Sequence, residues 1–508
     1  MEGSCRQTLR EAWGAAALLL ATAVPFSAVS ALAAPAAASR HVQAELVSEV
    51  ESIQPGQPFW LGLHLRMEPG WHTYWKNPGD SGLPTRLTWK LPDGFEAAPI
   101  EWPYPKPFSQ GPVTSYGYER DVLLPVRVTP RASLTPGQPV TLAARADWLE
   151  CREQCLPGRA ELKVTLPVAA SAPRPVAALA AVFAQTRKKL PAVPAGWTFE
   201  AAESGTGLQL QLRPPKTWGT IEQAYFFSEQ PEVVDYAAAQ ALASAPNGYR
   251  LDLATAPNVA RPLVRLRGVL VTTSAEGGTR AVRVEAPVVK KIGGLRPTPE
   301  GGEAMTIRAK VLAAVVLAAA AVPATARAAA VVGQPAPDFT LVDTSGAKHS
   351  LSDLKGKMVV LEWVNFECPF VGKHYGSGNM QKLQKAYTGK GVVWLSINSS
   401  AEGKQGYFPP DKINALMKEK GAAPSAYLID TDGRVGRAYG AKTTPHMFVV
   451  DPRGAVVYAG GIDDTPSTDQ ADIATAKNYV RAALDEALAG KPVTAASSAP
   501  YGCSVKYR

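Results

Sequence analysis

Cysteine is scarce in this sequence, with five residues among 508. A small disulfide-stabilised scaffold would need a far higher density of cysteine, so that class of protein is excluded. Clusters of Lys and Arg interleaved with aromatic residues are also missing. Their absence argues against a nucleic-acid-binding protein even though the formal net charge is +9. The few cysteines are therefore the residues from which to infer chemistry.

Long hydrophobic runs are lacking as well, and the sequence contains no block of transmembrane helices. What is present is a composition of 46% hydrophobic and 19% charged residues, which is typical of globular protein. A chain of this length is too long for one ordinary core, and we expect roughly three domains.

The N-terminus predicts export. Arg6 and Arg10 precede a short apolar stretch, and Ala31-Leu32-Ala33 forms a small-residue cleavage motif. Residues 1–34 therefore have the pattern of a secretory signal peptide, which places the mature protein in the periplasm. Cys5 would leave with this segment. The four cysteines that remain are an even, sparse set typical of redox-active rather than scaffolding residues.

A second export-like segment occupies residues 305–330. It begins at Met305, carries Arg308 and Lys310, continues through an apolar run, and ends in small-residue motifs after Pro323. Its apolar run is shorter than the roughly 20 residues of a membrane-spanning helix. We interpret it as a complete signal peptide within a fusion of two exported proteins. A weak membrane tether at residues 311–326 is the competing interpretation, and an Ala-rich linker or buried helix is another.

Between these segments the sequence predicts β-structure. Alternating apolar and polar residues, separated by Pro/Gly turns, recur in 58–67, 121–128, 139–148 and 160–168. This pattern predicts a β-sandwich over residues 35–170 and a second β-rich lobe over 171–300. The second lobe contains neither cysteine nor histidine, so we expect no chemistry from it.

The stretch "ADWLECREQCLPG" concentrates the chemistry of the first lobe. Cys151 and Cys155 are close enough in sequence for a reversible disulfide, with Trp148 available to shield it. A permanent disulfide is an alternative, although so short a loop stabilises the fold little. Two thiolates at this spacing also suit Cu(I), and a third ligand would come from one of the histidines of this lobe. These histidines are His41, His64 and His72.

The stretches 69–85, "PGWHTYWKNPGDSGLPT", and 146–158, quoted above, resemble the periplasmic N-terminal region of DsbD/ScsB-like thiol:disulfide interchange proteins. The resemblance covers about residues 40–295 and implies immunoglobulin-like lobes. It also implies that Cys151 and Cys155 receive electrons from a membrane domain and pass them to exported proteins. This chain lacks that membrane domain, so the electron donor would be on another polypeptide.

After residue 330 the pattern changes to alternating strands and helices. The apolar stretch 358–366 predicts a buried strand, and a helix containing Met380, Leu383 and Tyr387 follows it. This order predicts an α/β domain with a central mixed sheet over residues 331–490. It resembles the thioredoxin fold, specifically the redoxin branch related to peroxiredoxins. The expected fold class is therefore two β-sandwich lobes followed by a thioredoxin-fold domain.

The resemblance assigns roles to several residues. Cys368 occupies the position of the nucleophile, at a helix N-terminus that favours the thiolate. Lys373 or His374 would help to lower its pKa, and Glu367 would oppose them. Thr444 and Pro445 match the Thr-cisPro element that lies beside the active cysteine and pairs with bound substrate.

The chain also departs from these families. A thioredoxin has its second cysteine at the position of Val371. A peroxiredoxin has a threonine where this chain has Asn365, and an arginine whose role would fall here to His446 or Arg437. We therefore expect the partner of Cys368 elsewhere.

Cys503 is one candidate partner. It lies in residues 491–508, an Ala/Ser-rich segment that we expect to be a flexible tail able to return to Cys368. A C-terminal resolving cysteine would capture a sulfenic acid as a disulfide. The pair Cys151/Cys155 is a second candidate, through thiol exchange, and the two are compatible as successive steps. A stray tail thiol is the remaining interpretation of Cys503.

Together these patterns predict an exported thiol-disulfide oxidoreductase without a cofactor. Its redoxin would reduce peroxide or the disulfides of exported proteins, and a membrane protein on another chain would supply electrons. The alternatives are a copper-tolerance module that binds Cu(I) at Cys151 and Cys155, and an interaction protein whose redoxin fold is only a scaffold. Binding of Cu(I) without thiol exchange would favour the copper-tolerance module. A chemically inert Cys368 would favour the interaction protein.

Overall fold

The computed structural model describes residues 37–205, 207–259, 261–290 and 329–508. The predicted signal peptide and most of the signal-like segment at 305–330 lie outside these ranges. Within them, no helix is both long and apolar enough to cross a membrane. The described chain is rich in β-strands and has few helices.

The first part of the chain forms two sheets. Their strands, in chain order, are β1 (Ala37–Ala38), β2 (Val42–Ser48), β3 (Phe59–Met67), β4 (His72–Gly79), β5 (Arg86–Lys90), β6 (Phe95–Ala97), β7 (Lys106–Gln110), β8 (Val113–Glu119), β9 (Asp121–Pro130), β10 (Pro139–Cys151) and β11 (Cys155–Pro167). One sheet has the order β1-β2-β3-β9-β6, and the other has the order β11-β10-β4-β8-β7 with β5 beside β10. Alternate residues of β11 are buried, as the period-two pattern predicts.

A helix leads to a third sheet. Its elements are α1 (Ala177–Lys189), β12 (Thr198–Ser204), β13 (Gly207–Arg213), a 3-10 turn (Lys216–Trp218), β14 (Ile221–Ser228), β15 (Ala241–Ala245), β16 (Gly248–Ala254), β17 (Arg265–Ser274) and β18 (Thr279–Val289). The strand order is β14-β17-β18-β12-β13-β16-β15. Aromatic residues join this sheet to the first part, since the Tyr116 ring lies 4.9 Å from Phe227 and 5.2 Å from Tyr236. The apolar core is therefore continuous through both.

The remaining residues form an α/β unit. Its elements are β19 (Thr340–Asp343), β20 (Lys348–Ser350), a 3-10 turn (Leu351–Leu354), β21 (Val359–Trp363), α2 (Pro369–Gly376), α3 (Asn379–Thr388), β22 (Val393–Asn398), α4 (Pro410–Lys420), β23 (Ala426–Ile429), α5 (Arg434–Tyr439), β24 (Thr443–Thr444), β25 (His446–Val450), β26 (Val456–Gly460), a 3-10 turn (Gln470–Ala474), α6 (Tyr479–Leu488) and β27 (Cys503–Ser504). The main sheet has the order β20-β19-β23-β22-β21-β25-β26. Strand β21 is central and fully buried, and it delivers the chain to α2.

The central sheet carries a buried carboxylate, Glu362. It accepts hydrogen bonds from Trp394 Nε1 at 2.8 Å, Ser396 Oγ at 2.9 Å, Tyr375 Oη at 3.0 Å and Gln384 Nε2 at 3.1 Å. Burial raises the pKa of Glu362 in spite of these donors. The network joins β21 and β22 to α2 and α3, and it therefore stabilises the strand that positions the first turn of α2.

Candidate active site

Cys368 lies at the junction of β21 and α2. It is the residue before the first turn of α2, its backbone is extended, and Pro369 occupies the first helical position. Its side chain is 1% exposed. The sulfur lies 2.9 Å from the carbonyl oxygen of Thr444, to which Cys368 donates when it is protonated. The helix N-terminus and the strand before Pro445 thus meet at this sulfur, and the Thr444–Pro445 peptide bond is cis.

Cys503 lies against the same strand. Strand β27 pairs antiparallel with β24, with Cys503 opposite Thr444 and Ser504 opposite Thr443. Cys503 is fully buried, and its side chain is a hydrogen-bonding partner of Cys368. Of the candidate partners of Cys368, Cys503 is thus in direct contact with it.

The prediction that residues 491–508 form a flexible tail differs from the structure. Residues 501–507 are all buried, and part of this segment is the strand β27. The physical reason is that Tyr501, Val505 and Tyr507 supply apolar and aromatic surface on both sides of Cys503. The alternation Tyr501-Cys503-Val505-Tyr507 has the period of a β-strand, and it is the signal in the sequence that could have predicted this.

Tyr501 anchors the tail. Its hydroxyl donates to Asp463 Oδ1 at 2.5 Å, and His374 Nε2 lies 3.0 Å from the same hydroxyl. Lys373 Nζ donates to the carbonyl oxygen of Thr465 at 2.7 Å and lies 3.4 Å from Asp463 Oδ2. Lys373 and His374 were predicted to act on the Cys368 thiolate. Their side chains are directed instead to Asp463 and the tail, and burial lowers the pKa of His374 to about 3, so that it is neutral.

The two thiols differ in acidity. Burial raises the pKa of Cys368, but the Cys503 side chain, Thr444 and the N–H groups of Val371 and Cys503 outweigh it and lower the pKa to about 6. Burial and the charge of Cys368 raise the pKa of Cys503 well above its ordinary value. At neutral pH Cys368 is therefore the thiolate and Cys503 the thiol.

The acidity of Cys368 makes a pH dependence measurable. In the reduced protein, thiolate absorbance at 240 nm should rise with pH around a midpoint of about 6. Since this pKa lies below the ordinary value of 9.0, Cys368 contributes to the free energy of unfolding above pH 9, and that contribution is lost as pH falls through about 6. The Cys368→Ser variant is the control. A midpoint near 9 in the wild type would contradict the assignment.

Cys151 and Cys155 are joined by a disulfide at the end of the β10–β11 hairpin. The two residues face each other in the strand register, and Arg152, Glu153 and Gln154 form the exposed turn between them. Both sulfur-bearing side chains are buried, with 2% and 3% exposure. This cysteine pair is therefore covered by other parts of the protein rather than open to solvent.

Trp148 does not provide this cover, contrary to prediction. Its indole belongs to the core of the β-sheets, and its Nε1 donates to Glu150 Oε2 at 3.3 Å. The aromatic residue beside the disulfide is Tyr74, whose hydroxyl lies 3.7 Å from Cys155 Sγ. Because successive side chains of a strand point to opposite faces, Trp148 and Cys151, three residues apart on β10, fall on opposite sides of the sheet.

All four cysteines of the described chain lie in one buried apolar cluster. Cys151, Cys155, Cys368 and Cys503 share it with Tyr74. Burial raises the pKa of Tyr74, so its phenol stays protonated beside these cysteines. The cluster brings together one hairpin, one helix terminus and the tail.

Lys506 is a cation beside this cluster that the sequence did not reveal. Burial lowers its pKa, whereas the negative charges of Cys368 and Glu153 act in the opposite direction. Its Nζ donates to Ser504 Oγ at 2.9 Å. A buried ammonium at this position favours negative charge on the neighbouring sulfurs.

Three residues were expected to replace the peroxide-binding groups of a peroxiredoxin, and of these Asn365 contacts Cys368 through its backbone, accepting from the Cys368 N–H at 3.0 Å. The Asn365 side chain accepts from the N–H of Glu367 at 2.9 Å. Arg437 donates to the Asp432 carbonyl at 2.7 Å and stacks on Tyr507. His446 Nδ1 accepts from the N–H of Lys442 at 3.2 Å. Arg437 and His446 are thus held by other partners, whereas Asn365 Nδ2 is buried without a hydrogen-bond partner among the described residues.

No group of three or more His, Cys, Asp or Glu side chains suited to a metal ion occurs within the described ranges. His41 is paired with Glu68 and stacked on Trp71, and His64 contacts Asp121. His72 lies opposite Cys151 in the strand register, but its ring stacks on Phe108 at 4.7 Å.

Two family models match the chain. Residues 39–167 match the N-terminal domain of thiol:disulfide interchange protein DsbD, and residues 332–459 match the AhpC/TSA family. Both resemblances that the sequence motifs indicated are thereby confirmed. The first lies in the part that holds Cys151 and Cys155, and the second in the part that holds Cys368.

Curated relatives match the second of these parts. The thiol-disulfide oxidoreductase ResA of Bacillus subtilis is 33% identical over 125 residues, which are 25% of this chain and 64% of that protein. ResA of Geobacillus thermodenitrificans is 30% identical over 133 residues, which are 26% of this chain and 70% of that protein. Among solved structures, the N-terminal periplasmic domain of ScsB from Proteus mirabilis is 17% identical with a TM-score of 0.38, covering 49% of this chain and 94% of that one. Through its redoxin part, this chain belongs to the ResA-type thiol-disulfide oxidoreductase family, and this part follows a region that matches the DsbD N-terminal domain.

Proposed function

We propose that this protein is an exported thiol-disulfide oxidoreductase in which two cysteine pairs exchange electrons. Cys368 and Cys503 form the pair that reacts with substrate, and Cys151 and Cys155 form the pair that restores it. The observation that carries this proposal is the single buried cluster that contains all four sulfurs. Thiol exchange requires direct contact between sulfur atoms. The proposal is supported by one small cavity that is lined by Cys151 and Cys155 together with Ser504, the neighbour of Cys503.

The cycle begins at Cys368 because its pKa is the lower of the two thiols. Its thiolate attacks a substrate disulfide, forms a mixed disulfide and releases one substrate thiolate, which takes up a proton. Cys503 then loses its proton and attacks Cys368 Sγ. This step releases the second substrate thiol and leaves a Cys368–Cys503 disulfide. The substrate disulfide is reduced by two electrons, and the cysteine pair is oxidised by two.

The second pair restores the first. Reduced Cys151 and Cys155 attack the Cys368–Cys503 disulfide, regenerate its two thiols and become a disulfide themselves. The arrangement described above, with Cys151–Cys155 bridged and the other two free, is that of the protein after this transfer. The intermediate of this step is a mixed disulfide between Cys368 or Cys503 and one of the two hairpin cysteines, Cys151 or Cys155.

The substrate that we favour is a protein disulfide rather than peroxide. A peroxidatic cysteine needs hydrogen-bond donors that polarise the peroxide, and the side chains of Arg437 and His446 are engaged elsewhere. Asn365 Nδ2 is the one free donor of these three residues, and an amide does not reproduce the threonine hydroxyl of a peroxiredoxin. In addition, β24, the edge next to Cys368, already pairs with an extended cysteine-containing segment, β27. An extended substrate peptide would use the same backbone groups once the tail moves aside.

Partners and location follow from the same proposal. We infer a periplasmic protein whose partners are exported redox proteins and whose electrons come from a membrane protein on another chain. We also propose two immunoglobulin-like sandwich lobes, residues 35–170 and 171–300, in front of a redoxin domain at 331–490. Residues 491–508 then belong functionally to the redoxin domain, because they carry Cys503.

Intact mass with thiol trapping tests the proposal. The fully reduced protein is treated with one equivalent of either a disulfide-bonded peptide or hydrogen peroxide, and its free thiols are then alkylated and located. We expect the peptide to oxidise Cys368 and Cys503 first and the disulfide to move to Cys151–Cys155. We expect peroxide to react far more slowly.

Two results would overturn parts of this proposal. Rapid oxidation of Cys368 by one equivalent of peroxide would make the protein a peroxidase. A Cys368–Cys503 disulfide that never transfers to Cys151 and Cys155 would separate the two pairs functionally.

A further inference from the structure

Lys442 connects three parts of the molecule. It precedes β24, and its Nζ lies 2.8 Å from Asp80 Oδ1 and 3.5 Å from Glu232 Oε1. Asp80 follows β4 of the first part, whereas Glu232 follows β14 of the third sheet. The Lys442, Asp80 and Glu232 side chains are only 17%, 1% and 21% exposed. One cation of the redoxin part is thus enclosed between two anions of the preceding part.

Asp80 and Glu232 also have hydrogen-bond partners within the preceding part of the chain. Asp80 Oδ2 accepts a hydrogen bond from the N–H of Thr114 at 2.8 Å. The N–H of Glu232 donates to the hydroxyl of Tyr236 at 3.0 Å, and the Tyr236 ring also faces Lys442 Nζ at 5.8 Å. Removing one partner of such a buried charge group is costly because the remaining charge is neither solvated nor paired.

Neutral contacts extend the same interface. The side-chain amide of Asn258 makes two hydrogen bonds to the backbone at the start of the redoxin part. It accepts from the N–H of Val332 at 3.1 Å and donates to the carbonyl oxygen of Ala330 at 3.4 Å. At the other end, the N–H of Gly82 donates to the carbonyl of Gly502 at 3.1 Å. The cysteine cluster lies between these contacts and contributes apolar surface from both sides, including Tyr74 and Leu149.

We propose that residues 329–508 stay bound to residues 37–290 when the chain between them is cut, and that this association depends on Lys442. The polypeptide that binds residues 37–290 is a redoxin that carries a lysine immediately before its Thr-Thr-Pro segment. The segment that would be cut, 291–328, contains the signal-like sequence with its small-residue motifs. Cleavage there would therefore yield a two-subunit complex rather than two separate proteins.

The buried charges also make the surface selective. A thioredoxin-like protein with a neutral or acidic residue at the position of Lys442 would leave Asp80 and Glu232 desolvated without a cation. Repulsion of wrong partners by unpaired buried charge is a common source of specificity. Lys442 is then the residue that determines which redoxin is accepted. This inference concerns association and does not require the proposed exchange reaction.

The experiment uses the full exported chain with a specific protease site inserted between residues 300 and 304. After cleavage, the association of the two fragments is measured by native mass spectrometry and size exclusion across a dilution series. Denaturing, non-reducing mass analysis verifies that no disulfide links them. We compare the wild type with Lys442→Met and with Lys412→Met, an exposed lysine on α4 that serves as the matched control.

We expect the wild-type and Lys412→Met fragments to remain together at micromolar concentration. Lys442→Met should weaken the association by about 100-fold, since it removes one side of a buried charge group. Separation of the wild-type fragments at micromolar concentration would overturn the proposal. Equal affinities of the Lys442→Met and Lys412→Met proteins would remove Lys442 as the determinant. Because the readout is mass, neither result depends on thiol exchange.

Discussion

Substitution of Cys368 by serine is expected to lower disulfide reductase activity by at least about 100-fold. Cys368 carries the low pKa at the start of α2, and the higher pKa of Cys503 prevents it from taking over the attack at neutral pH. Serine has nearly the same size but cannot form a disulfide. The measurement is the rate at which free thiols appear from a disulfide-bonded peptide under excess reductant.

The control for this variant is Ser352→Ala, an exposed position in the 3-10 turn after β20. It should retain wild-type activity. Thermal unfolding of both variants establishes that the fold is intact. If Cys368→Ser retained activity within a few-fold of the wild type, the nucleophile would have to be sought among the other three cysteines.

Substitution of Cys503 by serine should stop the reaction after Cys368 has attacked the substrate and before the mixed disulfide is resolved. Attack by Cys368 remains possible, but the mixed disulfide with substrate is no longer resolved by the tail. We expect a trapped covalent adduct of one peptide at Cys368, visible by intact mass, together with a loss of turnover on the order of 100-fold. The physical basis is that Cys503 is the thiol in direct contact with Cys368 and lies opposite Thr444 in the strand register.

Ser497→Ala is the control for Cys503→Ser. It alters a residue of the same C-terminal segment whose hydroxyl donates to the carbonyl oxygen of Asn258 at 3.4 Å. It should turn over like the wild type and trap no adduct. A Cys503→Ser protein with normal turnover would mean that Cys151 and Cys155 resolve the mixed disulfide directly. The tail would then have only the role of covering the site.

Local patterns predicted a large part of the fold. The period-two alternation of 160–168 corresponds to the buried and exposed positions of β11, and the apolar run before Cys368 corresponds to β21. Cys368 was identified because a buried strand followed by Cys-Pro leads into a helix whose first residue is proline. These features depend on neighbours only a few residues away, which is why they can be recognised without a structure.

Side-chain partners were predicted less well. Lys373 and His374 are close to Cys368 in sequence, but on α2 they are directed toward Asp463 and Tyr501. Trp148 is close to Cys151 in sequence but lies in a different core. The direction of a side chain depends on the helix or strand that carries it and on which face is covered. Proximity along the chain does not determine either property.

The sequence by itself determined which residues can carry the chemistry, because cysteine is rare here and its motifs are short and local. It also determined the order of β-rich and α/β parts, since hydrophobic period depends on local backbone geometry. Only the tertiary structure decided that the tail is a strand beside Thr444, that Tyr74 and Lys506 face the sulfurs, and that Lys442 lies between Asp80 and Glu232. Those contacts join segments far apart in sequence, and they depend on how the helices and strands pack and on which face of each element a side chain lies, which no local pattern records.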